Sequence, residues 1–127
     1  MTSPRSPFRI LLLEDEPMIL MDLSMSVEDV GGNPMAATSS AQALTMLETE
    51  FPHAAILDVN LGEGGTCEQV AEILKTQKIP FFLHSGDLVQ QGELIERIGA
   101  EVVAKPADSL EVADRALSLA RDRPENA

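Results

Sequence analysis

The sequence predicts a doubly wound α/β domain, a parallel β-sheet with helices on both faces, and three observations predict it. Short apolar runs of strand length alternate with longer segments whose apolar residues recur at helical spacing. The runs are continuously apolar, as strands covered on both faces require. The chain of 127 residues, 44% hydrophobic and 24% charged, holds one core and leaves no room for a second globular unit.

Each element has its own signal. The first run, Ile10 to Leu13, breaks into Glu14-Asp15-Glu16. Pro17 suits the first turn of a helix carrying Ile19, Leu20, Leu23 and Val27, and Gly31-Gly32 stops it. A weak run, Met35 to Ala37, precedes Ser39 or Ser40 as cap of a helix with Leu44 and Leu47. Ala54 to Leu57 is the third run, followed by Gly62-Glu63-Gly64-Gly65, read as a flexible loop, and by a helix with Val70, Ile73 and Leu74 that Thr66 can cap. Ile79 to Leu83 is the fourth run, with Leu94, Ile95 and Ile98 on the helix after it. Val102 to Ala104 is the fifth, and Asp108 can cap a last helix with Leu110, Ala113 and Leu117. The domain is expected over residues 8–120, with a disordered segment before it (1–7) and a polar tail after it (121–127). Met18, Met21 and Met25 on the first helix read as core filler, with an adaptable partner surface as the alternative.

Charge and cysteine usage exclude several functions. Nine Lys and Arg face 21 Asp and Glu, and the net charge of -12 repels nucleic acid phosphates and anionic membranes, so neither is an expected partner. A single cysteine, Cys67, cannot form an internal disulfide, and the start lacks a signal-peptide core. No apolar stretch approaches the ~20 residues of a spanning helix. The expected compartment is the cytoplasm.

In doubly wound folds the ligand site gathers beyond the carboxyl ends of the strands. Here those ends carry Glu14-Asp15-Glu16, Asp58, Ser85 and Lys105-Pro106. Any strand turns polar as it surfaces, but acids from two strands, a hydroxyl and an ammonium at one edge point to a site. Crowded carboxylates raise one another's pKa unless a cation sits among them, and Mg²⁺ suits such oxygen ligands with waters and phosphate oxygens. A further carboxylate is then free to act as nucleophile towards phosphorus. Asp58, closing the central run, is the candidate nucleophile; Lys105 and Ser85 can each bond a phosphoryl oxygen.

The stretches Arg9 to Pro17, Ala55-Ile56-Leu57-Asp58-Val59-Asn60-Leu61, Leu83-His84-Ser85-Gly86, and Gly99-Ala100 through Lys105-Pro106 resemble the response-regulator receiver domain of two-component signalling, over nearly the whole chain. The resemblance implies a flavodoxin-like sheet of five parallel strands in the order 2-1-3-4-5. It implies Glu14 and Asp15 as the acidic pair that binds Mg²⁺ with Asp58 and the backbone carbonyl of Asn60. It further implies Asp58 as phosphoacceptor, Ser85 as switch hydroxyl, Lys105 as the family's lysine, and a cis Lys105-Pro106 bond. The implied partners are a sensor histidine kinase or histidine phosphotransfer protein, docking on the first helix, and a downstream regulatory protein. Pro80 to Gly86 is similar to a subgroup of stand-alone receivers.

One departure stands out. Where the family carries Tyr or Phe three residues before the lysine, this chain has Val102, so the readout of phosphorylation must use another side chain or backbone movement. Among lesser features, His84 reads as packed or solvated, with a proton carrier beside Ser85 as the alternative, His53 as a loop residue, and Asn60 and Asp87 as residues placed to orient or obstruct the hydrolytic water. The expectation is a switch, not an enzyme, beyond self-phosphorylation from small phosphodonors and autodephosphorylation. Two rivals remain: a haloacid-dehalogenase-like phosphatase, whose second carboxylate would stand where Asn60 is, and a receiver-like interaction module that is never phosphorylated.

Overall fold

The computed structural model describes residues 8–86 and 88–122. The N-terminal segment 1–7, the last five tail residues and Asp87 lie outside the described residues. Five strands, β1 (Arg9–Leu13), β2 (Asn33–Ala37), β3 (Ala54–Leu57), β4 (Phe81–Ser85) and β5 (Val102–Ala104), form one parallel sheet in the order β2-β1-β3-β4-β5. The helices are α1 (Pro17–Asp29), α2 (Ser40–Leu47), α3 (Glu68–Thr76), α4 (Gly92–Ile98) and α5 (Ser109–Asp122). This is the doubly wound architecture that the continuous apolar runs require.

Because alternate strand residues point to opposite faces, the sheet builds two cores. Leu11, Leu13, Ala55, Leu57 and Leu83 pack under α2, α3 and α4 against Leu47, Val70, Leu74 and Ile98. Ile10, Leu12, Ala54, Ile56 and Phe82 pack under α1 and α5 against Leu20, Leu23, Val27, Val112 and Ala116. The central strands are fully buried, so truncating Leu12 or Leu57 to Ala would cost about 2–5 kcal/mol.

The helix punctuation works as the sequence suggests at several points. Pro17 opens α1. Val27 and Glu28 carbonyls accept from the amides of Gly32 and Gly31, and Gly31 takes φ +97°, a left-handed conformation that suits glycine. Ser39 caps α2 by accepting from Gln42 N. Asp108 holds the start of α5 through its main-chain carbonyl, which accepts from Val112 N.

Other boundaries move. β4 starts at Phe81, two residues after the expected Ile79, and continues through the polar His84 and Ser85 because both pair with β5. The cap position of α3 is Cys67, one residue past Thr66. The glycine run after β3 is an ordered short 3-10 turn, Gly62–Gly64, clasped by Leu61 N donating to Gly65 O and by a bridge between Asn60 and Thr66. α5 extends two residues past the expected boundary, to Asp122, and buries Val112, Ala113, Ala116, Leu117 and Ala120 while Leu110 is exposed. Met18, Met21 and Met25 are not core filler: they are 77%, 57% and 57% exposed along α1. No helix among the described residues is long and apolar enough to cross a membrane.

Candidate functional site

The main chain carries the sheet's pairing one residue past β1 and β3. Glu14 N donates to Ala37 O at 3.1 Å and Asp58 N donates to Leu13 O at 2.9 Å, so both acids leave the sheet at the same level. Lys105 N donates to Ser85 O at 2.9 Å, and the Lys105-Pro106 peptide is cis. From there the lysine side chain spans β4. Its ammonium donates to Glu14 Oε1 at 2.8 Å and to Asp58 Oδ2 at 3.2 Å. Ser85 is buried at the end of β4 and lines a cleft of about 400 Å³ with Asp15, Glu16, Asp58, Asn60 and Lys105.

The electrostatics are those of a strained acidic cluster. Burial, then Glu14, and to a lesser extent Asp15 push the Asp58 carboxyl up to about 6, against the pull of Lys105. Burial works against the Lys105 charge, but Glu14 and Asp58 together outweigh it and hold the ammonium above the usual lysine range. The site therefore keeps its cation, and Asp58 is the carboxylate with the most to gain from another.

The donor set suits a hard divalent cation. Carboxylate oxygens of Glu14, Asp15 and Asp58 lie within 4.8 Å of one another, close enough for one hard cation to sit among them. The three acids are not equivalent. Glu14, 2% exposed, spends Oε1 on Lys105 and Oε2 on the amide of Glu16 at 3.1 Å, whereas Asp15 is half-buried and lines the cleft beside Asp58. Asp15 and Asp58 are the better placed ligands, and Glu14 sits behind them as the partner of Lys105. Asn60 also lines the cleft, with its Oδ1 accepting from Gly62 N at 2.9 Å. That bond ties the side-chain oxygen to the turn.

His53 and His84 are where sequence reasoning put them. His53 accepts through Nδ1 from Arg9 N at 2.9 Å and meets Phe8 edge-on. His84 is 5% exposed, its Nδ1 lies 2.9 Å from Val103 O, and burial pushes its pKa down. Cys67 is buried and its thiol is pushed up to about 12, chiefly by burial, which leaves it unreactive. Two features escaped the sequence: the double engagement of Glu14, and Ile19 as a wall of the cleft. Neither has a sequence signal beyond the acidic run and the helix periodicity.

No protein-family model matches the chain. The "probable transcriptional regulator ycf27" of Cyanophora paradoxa is 30% identical over 123 residues, covering 93% of this chain and 50% of that protein. The phyllosphere-induced regulator PhyR of Methylorubrum extorquens is 35% identical over 74 residues, 56% of this chain and 28% of that protein. Among solved structures, a CheY-like response regulator receiver domain from Methanospirillum hungatei superposes with TM-score 0.80 at 19% identity, covering 96% of this chain and all (100%) of that one. A response regulator receiver protein from Sinorhizobium medicae also gives TM-score 0.80, at 22% identity, with 94% and 98% coverage. The chain has the fold of the response-regulator receiver domains.

Within this fold the strand order is the one the resemblance implied, 2-1-3-4-5, and Asp15, Asp58, Ser85 and Lys105 converge on one cleft, with Glu14 beside Asp58 and Lys105. The chain spans half or less of the length of the curated relatives named above (50% and 28%). Val102, at the place of the usual aromatic, is half-buried at the start of the edge strand β5.

Proposed function

We propose that Asp58 accepts a phosphoryl group from the phosphohistidine of a sensor histidine kinase or histidine phosphotransfer protein in the cytoplasm, and that the altered surface relays the signal to a downstream regulatory protein. The observation that carries this reading is the ammonium of Lys105 held between Asp58 and Glu14 at the mouth of a cleft that also holds Asp15 and Ser85. Asp58 is fixed by its main-chain bond to β1 and has an open cleft before it. One carboxylate oxygen attacks phosphorus, the P–N bond to the donor imidazole breaks, and the imidazole leaves with the electron pair. Lys105 then moves its hydrogen bond from Asp58 to a phosphoryl oxygen, and Ser85 is positioned to donate to another. Asp15 and Asp58, with the Asn60 carbonyl, would hold Mg²⁺, which neutralises charge on the transferred oxygens.

The phosphatase alternative fares less well. A turnover enzyme of that type places a second acid two residues after the nucleophile; here Asn60 stands there, tied to Gly62 N. Both relatives are named as regulators, which agrees with an information output. The test is incubation with phosphoramidate and Mg²⁺, following both protein phosphorylation and free phosphate. Uptake saturating near one equivalent, lost in Asp58→Asn, is expected. Steady hydrolysis of p-nitrophenyl phosphate over many cycles would contradict the switch, and unmodified protein with partner binding indifferent to Asp58→Asn would favour the inert module.

A further inference from the structure

The missing aromatic at Val102 leaves open how the state of the cleft reaches the surface, and His84 is placed to answer it. It is the residue immediately before Ser85 and pairs in register with Val103. Ser85 lines the phosphorylation cleft, whereas His84 lines a groove of about 530 Å³ between α1 and the segment leading into α5. A main-chain carbonyl only accepts, so the imidazole must carry its proton on Nδ1 and donate to Val103 O at 2.9 Å. β5 needs this tie. It is a three-residue edge strand, half-buried to exposed, yet it must hold Lys105 in reach of Asp58. Lys105 itself lines both the groove and the cleft, and so does Ile19. The outer wall of the groove is the exposed row Met18, Met21 and Met25.

Resting on the phosphorylation reading above, we infer that His84 is a positioning residue that clamps β5 to the switch strand and carries movement of Ser85 into the methionine-lined groove beside α1, the task an aromatic on β5 would otherwise perform. When Ser85 turns towards a phosphoryl oxygen, the next residue back moves on the same strand. Its ring pulls on Val103 O on one side and on the floor of the groove on the other. The output of the switch is thereby displayed on the α1 side of the sheet.

The test uses the full chain labelled with ¹³C at the methionine methyls and ¹⁵N at the amides, with Mg²⁺ and beryllofluoride as the probe. In wild type, the amides of Asp58 and Ser85 and the methyls of Met18, Met21 and Met25 are expected to shift together. His84→Leu removes the donor; the Asp58 and Ser85 amides should still respond while the methionine shifts shrink at least threefold. His84→Asn places an N–H where Nδ1 stood and should restore them, whereas a merely structural core role would not distinguish Asn from Leu in that direction. Cleft amides that respond in wild type with unmoved methionine methyls overturn this inference alone, and so do methionine shifts that persist in His84→Leu. No response anywhere in wild type overturns the phosphorylation reading and this one with it. Where His84→Leu fails to fold, unmoved methionine methyls in wild type still overturn the inference, and His84→Asn, expected to keep the methionine shifts, overturns it if it loses them while the cleft amides respond.

Discussion

Lys105 and Asp58 meet at 3.2 Å although β4 lies between their strands, and the same ammonium reaches Glu14 at 2.8 Å. The lysine thus stands in for a metal cation in the metal-free protein: it balances two buried carboxylates that would otherwise repel each other. Removing it leaves those charges uncompensated. Lys105→Met is expected to lose about 3 kcal/mol at pH 8 in EDTA. The loss should shrink at pH 5, where Asp58, with a pKa of about 6, takes up a proton. Urea denaturation at the two pH values checks it; an equal loss at both would break the link to Asp58.

Asp58 gives the metal-free protein a definite pH dependence. Its folded-state pKa, about 6, lies above the ordinary 3.8, so the native state binds the proton more tightly than the unfolded chain. The stabilisation is fully present below 3.8 and is lost as pH rises through about 6, amounting to about 3 kcal/mol at roughly 1.4 kcal/mol per pKa unit. Thermal melts in EDTA between pH 4 and 8 should fall across this window in wild type and be flatter in Asp58→Asn. At pH 7.5 the Asn variant should melt higher, because it buries no charge at that position.

Metal binding separates the two acids after β1. Mg²⁺ at ten times its dissociation constant should stabilise the fold by about 1.4 kcal/mol, and Asp15→Asn should remove most of that gain. Glu14→Gln has a different signature. It disturbs the bond to Lys105, and so should lower metal-free stability more than Asp15→Asn does while keeping more of the Mg²⁺ increment. Melting curves of the three proteins with and without Mg²⁺ decide this. Identical behaviour of the two variants would contradict the unequal roles.

Gly62 is held at φ +61°, and a Cβ there would stand 3.5 Å from Asp15 Oδ2. Gly62→Ala is expected to cost about 1 kcal/mol for the backbone and to leave Mg²⁺ binding nearly unchanged, because the methyl meets Asp15 at an ordinary contact distance. A Mg²⁺ titration by calorimetry, beside a denaturant melt, measures both.

Much of this was legible in the sequence because the chemistry and the packing use the same signal. β3 and β5 fall on the apolar runs Ala54 to Leu57 and Val102 to Ala104, and Asp58 and Lys105 are the first charges as those runs reach the surface. β4 was misplaced because apolar content marks burial, whereas pairing decides a strand: Ile79 belongs to the turn before Pro80, and polar His84 and Ser85 are paired with β5. The methionines of α1 were misread for the opposite reason, since an apolar side chain carries no mark of which way its helix face points when the face is not covered. Asn60 and Glu14 show a third limit. Their positions follow from the motif, but their partners, Gly62 N, Glu16 N and Lys105, are a matter of local turn geometry and of a contact 91 residues away in sequence.

The most direct measurement is peptide-resolved mass spectrometry of the protein after brief treatment with acetyl phosphate and Mg²⁺, with borohydride reduction to trap any acyl phosphate. A single trapped site at Asp58, absent without Mg²⁺ and absent in Asp58→Asn, is the expected result. A phosphoryl group found on another residue, or an Asp58 that stays unmodified under conditions where Mg²⁺ demonstrably binds, would contradict the account.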